Sequence, residues 1–115
     1  MQQALLRIFL GEDDRVKGKP LYEWLVLEAK TRKLAGATVL RGLMGFGAKS
    51  HLHTFKIERL SLDLPIVIEL VDRRDRLEAF LASVRPHLSD GIATLEDIDL
   101  IRFGQPVDGE AAGDS

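Results

Sequence analysis

The amino-acid sequence predicts an α+β fold with one four-stranded antiparallel sheet and both helices on one face of it. Three observations predict this fold: short apolar runs typical of strands, two longer segments with helical periodicity, and their order along the chain. That order is strand, helix, strand, strand, helix, strand, which makes two β-α-β halves of similar size. The expected architecture is therefore a split β-α-β, or ferredoxin-like, sandwich.

The first half of the chain divides into a strand, a polar loop, a helix and a second strand. Residues 4–10 are an apolar run typical of a buried strand, and residues 12–19 are polar and expected to form a loop. Pro20 suits the first position of a helix because its missing N–H would be unpaired there. Gly36 is the expected C-cap of that helix, and residues 37–44 are expected to form the second strand.

The second half begins with a return strand. Phe55 and Ile57 alternate with polar residues, which predicts an antiparallel strand with one face exposed to solvent. Leu64 and Pro65 mark the break after it, and residues 66–71 are expected to form a nearly continuous apolar strand.

A second helix and a last strand complete the predicted fold. Asp72 is the expected N-cap of the helix, and Pro86 ends it. Residues at helical spacing form its apolar stripe, namely Leu77, Phe80, Leu81 and Val84. The last strand is expected over residues 93–103. Residues 104–115 are small and polar and are expected to be a disordered tail, so the single domain covers residues 1–103.

The apolar strands predict an oligomer. Residues 4–10 and 66–71 carry apolar side chains at both parities, so each strand presents apolar groups to both faces of the sheet. The two helices cover one face only. We therefore expect a second subunit to cover the other face.

Composition excludes several classes of protein. The 115 residues are 45% hydrophobic and 30% charged, which is ordinary for one packed domain. The absence of cysteine excludes disulfide scaffolds, thiolate metal sites and cysteine nucleophiles. A net charge of −2 without a basic block does not fit a general nucleic-acid or membrane-surface binder. No apolar run reaches the roughly 20 residues of a membrane helix, the start does not resemble a signal peptide, and a cytoplasmic protein is expected.

Five segments at this order and spacing carry a resemblance to a known family. They are RIFLGEDD, GKPLYEW, AGATVLRG, GFG and DLPIVIE, at residues 7–14, 18–24, 35–42, 45–47 and 63–69. Together they resemble an uncharacterised bacterial and archaeal family of the PII-like superfamily, the relatives of nitrogen-regulatory PII signalling proteins. The resemblance covers about residues 4–103.

The resemblance implies a homotrimer whose sheets face inward, with a small anionic effector, an adenine nucleotide, in the clefts between subunits. Backbone amides of glycine turns would approach the phosphates, because a residue without Cβ lets an anion come close. The matching positions are Gly45 and Gly47 in the first turn, Gly91 in the second, and the terminal basic residue Arg102. Beside the first turn, Lys49 or Arg41 could add positive charge. A purely structural role remains the alternative, in which the glycines of the first turn only shape a strand end or hairpin bend.

Some positions depart from the PII pattern. Ile92 stands where PII proteins carry a lysine, and Leu100 stands where they carry the first of two alternating arginines. Tight triphosphate binding is therefore not expected. The loop at residues 48–63 is shorter than its PII counterpart and lacks a tyrosine, since the single tyrosine is Tyr22, so uridylylation is not expected. The resemblance nevertheless implies that effector binding orders this loop, which then engages a partner such as a membrane transporter.

Two other functions remain open. His51 and His53 share a strand parity and, with acidic residues, could make a metal-binding trimer like the CutA proteins. The acidic residues 12–14 offer oxygen ligands, although their spacing is not that of a calcium loop. A structural trimer that binds a partner without a ligand is the other alternative. The serines have no recognisable catalytic arrangement and no phosphate-loop motif occurs, so an enzyme is not expected.

Overall fold

The structure, a computed structural model, describes residues 1–46 and 64–104. In chain order its elements are β1 (Gln3–Gly11), β2 (Arg15–Val16), β3 (Lys19–Pro20), α1 (Leu21–Thr31), β4 (Gly36–Arg41), β5 (Pro65–Arg73), α2 (Arg74–Val84) and β6 (Ile92–Ile98). The main sheet has the spatial order β4-β5-β1-β6, and every neighbouring pair is antiparallel. This order confirms the predicted split β-α-β fold.

Both helices pack on one face of the sheet and form the core there. Alternate residues of β1 and β5 are buried on this face. They meet the buried stripe of α2, in which Leu77, Phe80 and Val84 are almost inaccessible and Leu81 is partly buried. The predicted stripe is therefore confirmed. Each helix has 11 residues, and neither is long and apolar enough to span a membrane.

The start of α2 differs from the prediction. Asp72 is not its N-cap, because β5 continues to Arg73 and the helix begins at Arg74. The Asp72 carboxylate is instead buried and accepts hydrogen bonds from the N–H groups of Ala35 (2.8 Å) and Arg73 (2.6 Å) and from Nη1 of Arg76 (2.9 Å). It therefore joins the segment before β4 to the first turn of α2.

The end of α1 also differs from the prediction. The helix stops at Thr31, and Lys33 takes a positive φ of +60°. Gly36 is therefore not its C-cap but the first residue of β4. A Cβ at this position would lie 3.0 Å from Cγ2 of Val71 on β5, so packing between strands explains this glycine.

Two other starts and ends differ as well. The second strand, expected over residues 37–44, already ends at Arg41, and Pro20 lies in β3, one residue before the helix that it was expected to begin.

The predicted loop and the last strand also differ from the structure. The loop at residues 12–19 contains the short hairpin β2–β3, whose turn residues Lys17 and Gly18 have φ values of +52° and +78°. Two successive positive φ values match the hairpin twist of a type I′ turn. The last strand covers Ile92–Ile98 only, so the chain leaves the sheet about five residues earlier than predicted.

The remaining predictions lie partly outside the described residues. Pro86 follows the end of α2 as predicted and lies in a short 3-10 helix, Arg85–His87. The return strand around Phe55 and Ile57 and nearly all of the tail at residues 104–115 fall in the ranges that the structure does not describe.

The sheet face opposite the helices, here called the open face, is covered by no helix of the described residues. Cross-strand partners share a face, so the strand register places Leu40, Val67, Phe9 and Ile92 in one apolar row across it. The next row is polar and contains Thr38, Glu69, Arg7 and Thr94. Beyond it, Val71 and Leu5 form a second apolar pair. Leu40 and Ile92 remain 46% and 55% exposed in the single chain.

Candidate functional site

The two predicted glycine turns lie at the same end of the sheet but beside different strands. β4 ends at this end of the sheet and β6 begins there, because the strands are antiparallel. Gly45 follows β4, and Gly91 precedes β6. Three strand spacings separate the two edge strands, but Gly45 lies beside Pro65 at the start of β5, because a Cβ there would be 3.5 Å from Cγ of Pro65. About two strand spacings, roughly 10 Å, therefore separate Gly45 from the strand that Gly91 precedes. A single chain therefore does not bring the two turns together.

Gly91 lies where the chain passes beside the end of β1. Its φ of +118° lies in the region that favours glycine. A Cβ would lie 2.8 Å from the carbonyl oxygen of Phe9, closer than real Cβ atoms come to a backbone atom. The backbone itself therefore requires glycine here, independently of any ligand.

A cavity of about 330 Å³ opens beside the Gly91 turn. Apolar side chains line one part of it, namely Ile8, Leu10, Leu81 and Leu88. Arg85, Ser89 and Asp90 contribute polar and charged groups. This volume is near the lower limit of small-molecule sites, so the cavity could hold a fragment the size of a base or a phosphate group.

Arg85 is a candidate ligand residue that the sequence did not indicate. It lines the cavity, and its side chain makes no hydrogen bond or ion pair with any residue that the structure describes. In the sequence it is one basic residue before a proline, without a motif around it. The chain returns from α2 to β6 and thereby brings Arg85 and Gly91 to the same cavity. Arg85 can therefore be recognised as a candidate only from the structure.

Arg41 lies at the other edge of the sheet and is already paired. Its Nη2 contacts the Glu12 carboxylate, and its side chain is 57% exposed. The next residue, Gly42, donates its N–H to the Pro65 carbonyl oxygen at 2.7 Å. A Cβ on Gly42 would lie 2.7 Å from Cγ of Pro65, so this glycine lets β4 and β5 pack closely as β4 ends.

The structure describes only the start of the first predicted turn. Gly45 is exposed, as is the neighbouring Phe46 at 70%. Gly47 and Lys49 lie outside the described residues, as do His51 and His53. Their roles as phosphate or metal ligands remain predictions.

Arg102 lies toward the opposite end of the sheet from Gly91. It follows the end of β6, whose seven residues span roughly 20 Å. Its side chain is exposed and has no hydrogen-bond or ion-pair partner in the described part of the chain. The Gly91 turn and the end of β6, four residues before Arg102, are therefore separated by the length of a strand.

The acidic loop has structural partners. Glu12 pairs with Arg41, and the Asp14 carboxylate accepts the N–H of Gly11 at 3.0 Å. Among residues 1–46 and 64–104, no group of three His, Asp or Glu side chains could hold a metal ion. The loop therefore stabilises the end of β1, and the histidine-based metal site remains an untested prediction.

Comparison with solved structures defines the fold class of the protein as PII-like. The PII-like protein CPII from Thiomonas intermedia, in a structure bound to ADP, AMP and acetate, superposes with a TM-score of 0.63 at 17% identity. The match covers 88% of this chain and 90% of CPII. A putative PII-like signaling protein from Thermus thermophilus gives a TM-score of 0.58 at 17% identity, covering 85% and 88% of the two chains.

Sequence comparison then identifies the family. Residues 3–100 match the model of the DUF190 family, described as "Uncharacterized ACR". A UPF0166 protein of Aquifex aeolicus is 38% identical over 101 residues, covering 88% of this chain and 95% of the relative. A UPF0166 protein of Methanocaldococcus jannaschii is 35% identical over 81 residues, covering 70% and 74%. The chain belongs to the DUF190 family, an uncharacterised family as the resemblance implied, and it has the fold of PII-like proteins.

Proposed function

We propose that this protein is a homotrimeric PII-like regulator that binds an adenine nucleotide in clefts between its subunits. The observation that carries the proposal is the separation of the candidate residues within one chain. Gly45 lies beside the start of β5 and Gly91 precedes β6, about two strand spacings away, while Arg102 comes after the far end of β6. Only neighbouring copies of the chain could bring such residues around one ligand.

The open face supports the assembly. No helix in the described part of the chain covers its apolar row, which consists of Leu40, Val67, Phe9 and Ile92. Exposed apolar side chains continue beyond the strands, at Leu43 (92%), Ile101 (73%) and Phe103 (89%). Large exposed apolar side chains of this kind are typical of an interaction surface on a folded protein, and a second subunit is the partner that the resemblance implies.

The chemistry beside Gly91 suits a nucleotide. The apolar side of the cavity offers a surface for a base, while Arg85 and the Asp90–Gly91 turn could contact polar groups. Arg85 could supply positive charge to a phosphate, because its guanidinium presents several donors and has no described partner. Ile92 adds no charge, and Leu100 adds none near Arg102, so a mono- or diphosphate is the better expected ligand. CPII, a protein of the same fold, has been solved with ADP and AMP.

The regulatory output would come from the segment at residues 48–63. In the proposed mechanism, nucleotide contacts favour one state of this segment over another, and a partner such as a membrane transporter recognises that state. No catalytic step is proposed, and the protein would act only through its binding equilibria.

Isothermal titration tests the proposal. Purified protein is titrated with AMP, ADP, ATP and cyclic dinucleotides, and its mass in solution is measured in parallel by light scattering. We expect a trimer that binds AMP or ADP more tightly than ATP. The Arg85→Gln variant should bind ADP at least about tenfold more weakly, since a charge-assisted hydrogen bond contributes about 1.5–3 kcal/mol.

A matched control is Arg15→Gln. Arg15 is exposed on β2, does not line the cavity and has no described partner, so its loss should leave affinity unchanged. A folded trimer that binds none of these nucleotides at millimolar concentration would contradict nucleotide binding. A monomer at low micromolar concentration would contradict the intersubunit site.

A further inference from the structure

A three-residue ion-pair cluster occupies the middle of the open face. Nε of Arg7 lies 3.0 Å from the Glu69 carboxylate on β5, and Nη1 lies 3.3 Å from the Glu96 carboxylate on β6. The hydrogen bond to Glu69 is the main cause that raises the pKa of Arg7 above its ordinary value. The apolar residues Leu5 and Phe9 flank Arg7 on the same face of β1. Arg7 and Glu69 therefore lie in the row next to Phe9, and Glu96 shares the following row with Leu5.

The cluster leaves complementary atoms unused. Nη2 of Arg7 has no hydrogen-bond partner within the described ranges, and neither does the second carboxylate oxygen of Glu69 or of Glu96. A guanidinium can donate five hydrogen bonds, and each ionised carboxylate can accept several. The same three side chains thus offer both free donors and free acceptors, so one copy of the cluster complements another.

Covering the open face would change the energetics of this cluster. In the single chain the side chains of Arg7 and Glu69 are 36% and 31% exposed, and water can satisfy their free atoms. A neighbouring subunit would remove that water. Buried polar atoms then need new partners, and an unpaired buried charge is strongly destabilising.

We propose that Arg7, Glu69 and Glu96 of adjacent subunits interlock by hydrogen bonds and fix the register in which the sheets meet. This inference rests on the proposed homotrimer and assigns to it a determinant of specificity. The flanking apolar residues would supply most of the association energy. Because apolar contact has no preferred direction, it would not by itself fix one register of the two sheets. The polar cluster would select one register, because only that register gives the free donors and acceptors of each copy a hydrogen-bond partner.

The chain provides a matched control in Arg74. This arginine also binds two carboxylates, Glu78 at 3.2 Å and Asp97 at 2.7 Å, and its side chain is 39% exposed. The Asp97 hydrogen bond is the main cause that raises its pKa. Asp97 pairs with Ala4, whose side chain is buried under the helices, so this cluster lies away from the open face. The two arginines therefore differ chiefly in which side of the sheet they occupy.

Sedimentation equilibrium on the full chain tests the proposal with Arg7→Met, Arg7→Lys and Arg74→Met. Arg7→Met should raise the dissociation constant of the trimer at least about tenfold, because it strands two carboxylates in the interface. Arg7→Lys keeps the charge but loses the forked donors, so it should weaken assembly by a smaller factor. Arg74→Met should stay within about twofold of the unmodified protein. Circular dichroism checks that each chain is folded.

A fourth variant separates pairing from charge removal. In Arg7→Met/Glu69→Leu/Glu96→Leu no charge is left unpaired, so assembly should return while the single register is lost. Loss of register should appear as a broadened mixture of species in native mass spectrometry. If the unmodified protein is a trimer and Arg7→Met and Arg7→Lys assemble as tightly as Arg74→Met does, this inference is wrong and the trimer stands. A monomeric unmodified protein would instead overturn the trimer itself.

Discussion

At the scale of single residues, Asp72 shows how a buried carboxylate can organise a fold. It is 5% exposed, yet it accepts hydrogen bonds from two backbone N–H groups and from Arg76. Arg76 also donates from Nη2 to the Arg32 carbonyl oxygen at 2.7 Å. The pair thus ties the end of α1, the segment before β4 and the start of α2 together.

Replacement of Asp72 tests this role. We expect Asp72→Asn to lower the free energy of unfolding by about 2–3 kcal/mol, because a charge-assisted bond is lost and an amide group faces other donors. Urea denaturation monitored by circular dichroism measures the change.

Asp75 provides the control for that measurement. It is an exposed carboxylate that receives two hydrogen bonds from Arg73 at 3.1 Å, and these hold its pKa below the ordinary value. A lowered pKa in the folded state means that its stabilising effect is present at neutral pH and is lost as the pH falls. Solvent screens this pair, so Asp75→Asn should destabilise far less than Asp72→Asn. Equal losses would contradict the role given to Asp72.

At the scale of elements, the position of β6 depends on one glycine. Gly91 brings the chain alongside β1 so that Ile92 can pair with Phe9. Its positive φ excludes a side chain, and so does the distance of only 2.8 Å that would separate an added Cβ from the carbonyl oxygen of Phe9. Pro86 predicts the end of α2, but nothing in the local sequence predicts this close approach.

Substitution by alanine tests the element. Gly91→Ala should lower the free energy of unfolding by at least about 2 kcal/mol, through backbone strain and the clash with β1. Hydrogen exchange should show lost protection in β6 first. Gly18→Ala is the matched control, since Gly18 has a φ of +78° but nothing within 4 Å of its Cβ position. Its cost should be only the conformational one of about 1 kcal/mol, and equal costs at both sites would contradict the clash.

At the scale of the whole molecule, stability should depend on protein concentration. If neighbouring copies cover the open face, folding and assembly are coupled, and mass action favours the folded trimer. The Tm should therefore rise by roughly 5–10 °C over about a hundredfold increase in concentration, given the entropy of unfolding for a domain of this size. Differential scanning fluorimetry or calorimetry at several concentrations measures it. A Tm that stays constant across this range would indicate that the open face has no partner copy.

Much of the fold was predictable from local patterns. The alternating burial of β1 and β5 and the stripe of α2 follow from spacing, because side chains repeat every two residues in a strand and every 3.6 in a helix. Element ends were less predictable. Gly36 is typical of a helix C-cap in sequence, and Asp72 of an N-cap, yet both belong to strands because pairing with β5 and burial outweigh local preference.

The candidate site was predictable only in part. Gly45, Gly91 and Arg102 came from motifs, whereas Arg85 came from the cavity alone, because residues that follow one another in the chain need not line the same space. The charges of Arg41 and Glu12 were both visible in the sequence, but their pairing across the ends of β4 and β1 was not.

The sequence by itself determined the class of fold and the apolar character of both faces of β1 and β5, since each of these follows from the order of residue types along the chain. Tertiary structure alone decided which polar groups meet. It placed Glu69 and Glu96 beside Arg7 on the open face and separated the predicted ligand residues across the sheet. The physical reason is that strand order and register, which join residues 62 and 89 positions apart, arise from the packing of the whole chain.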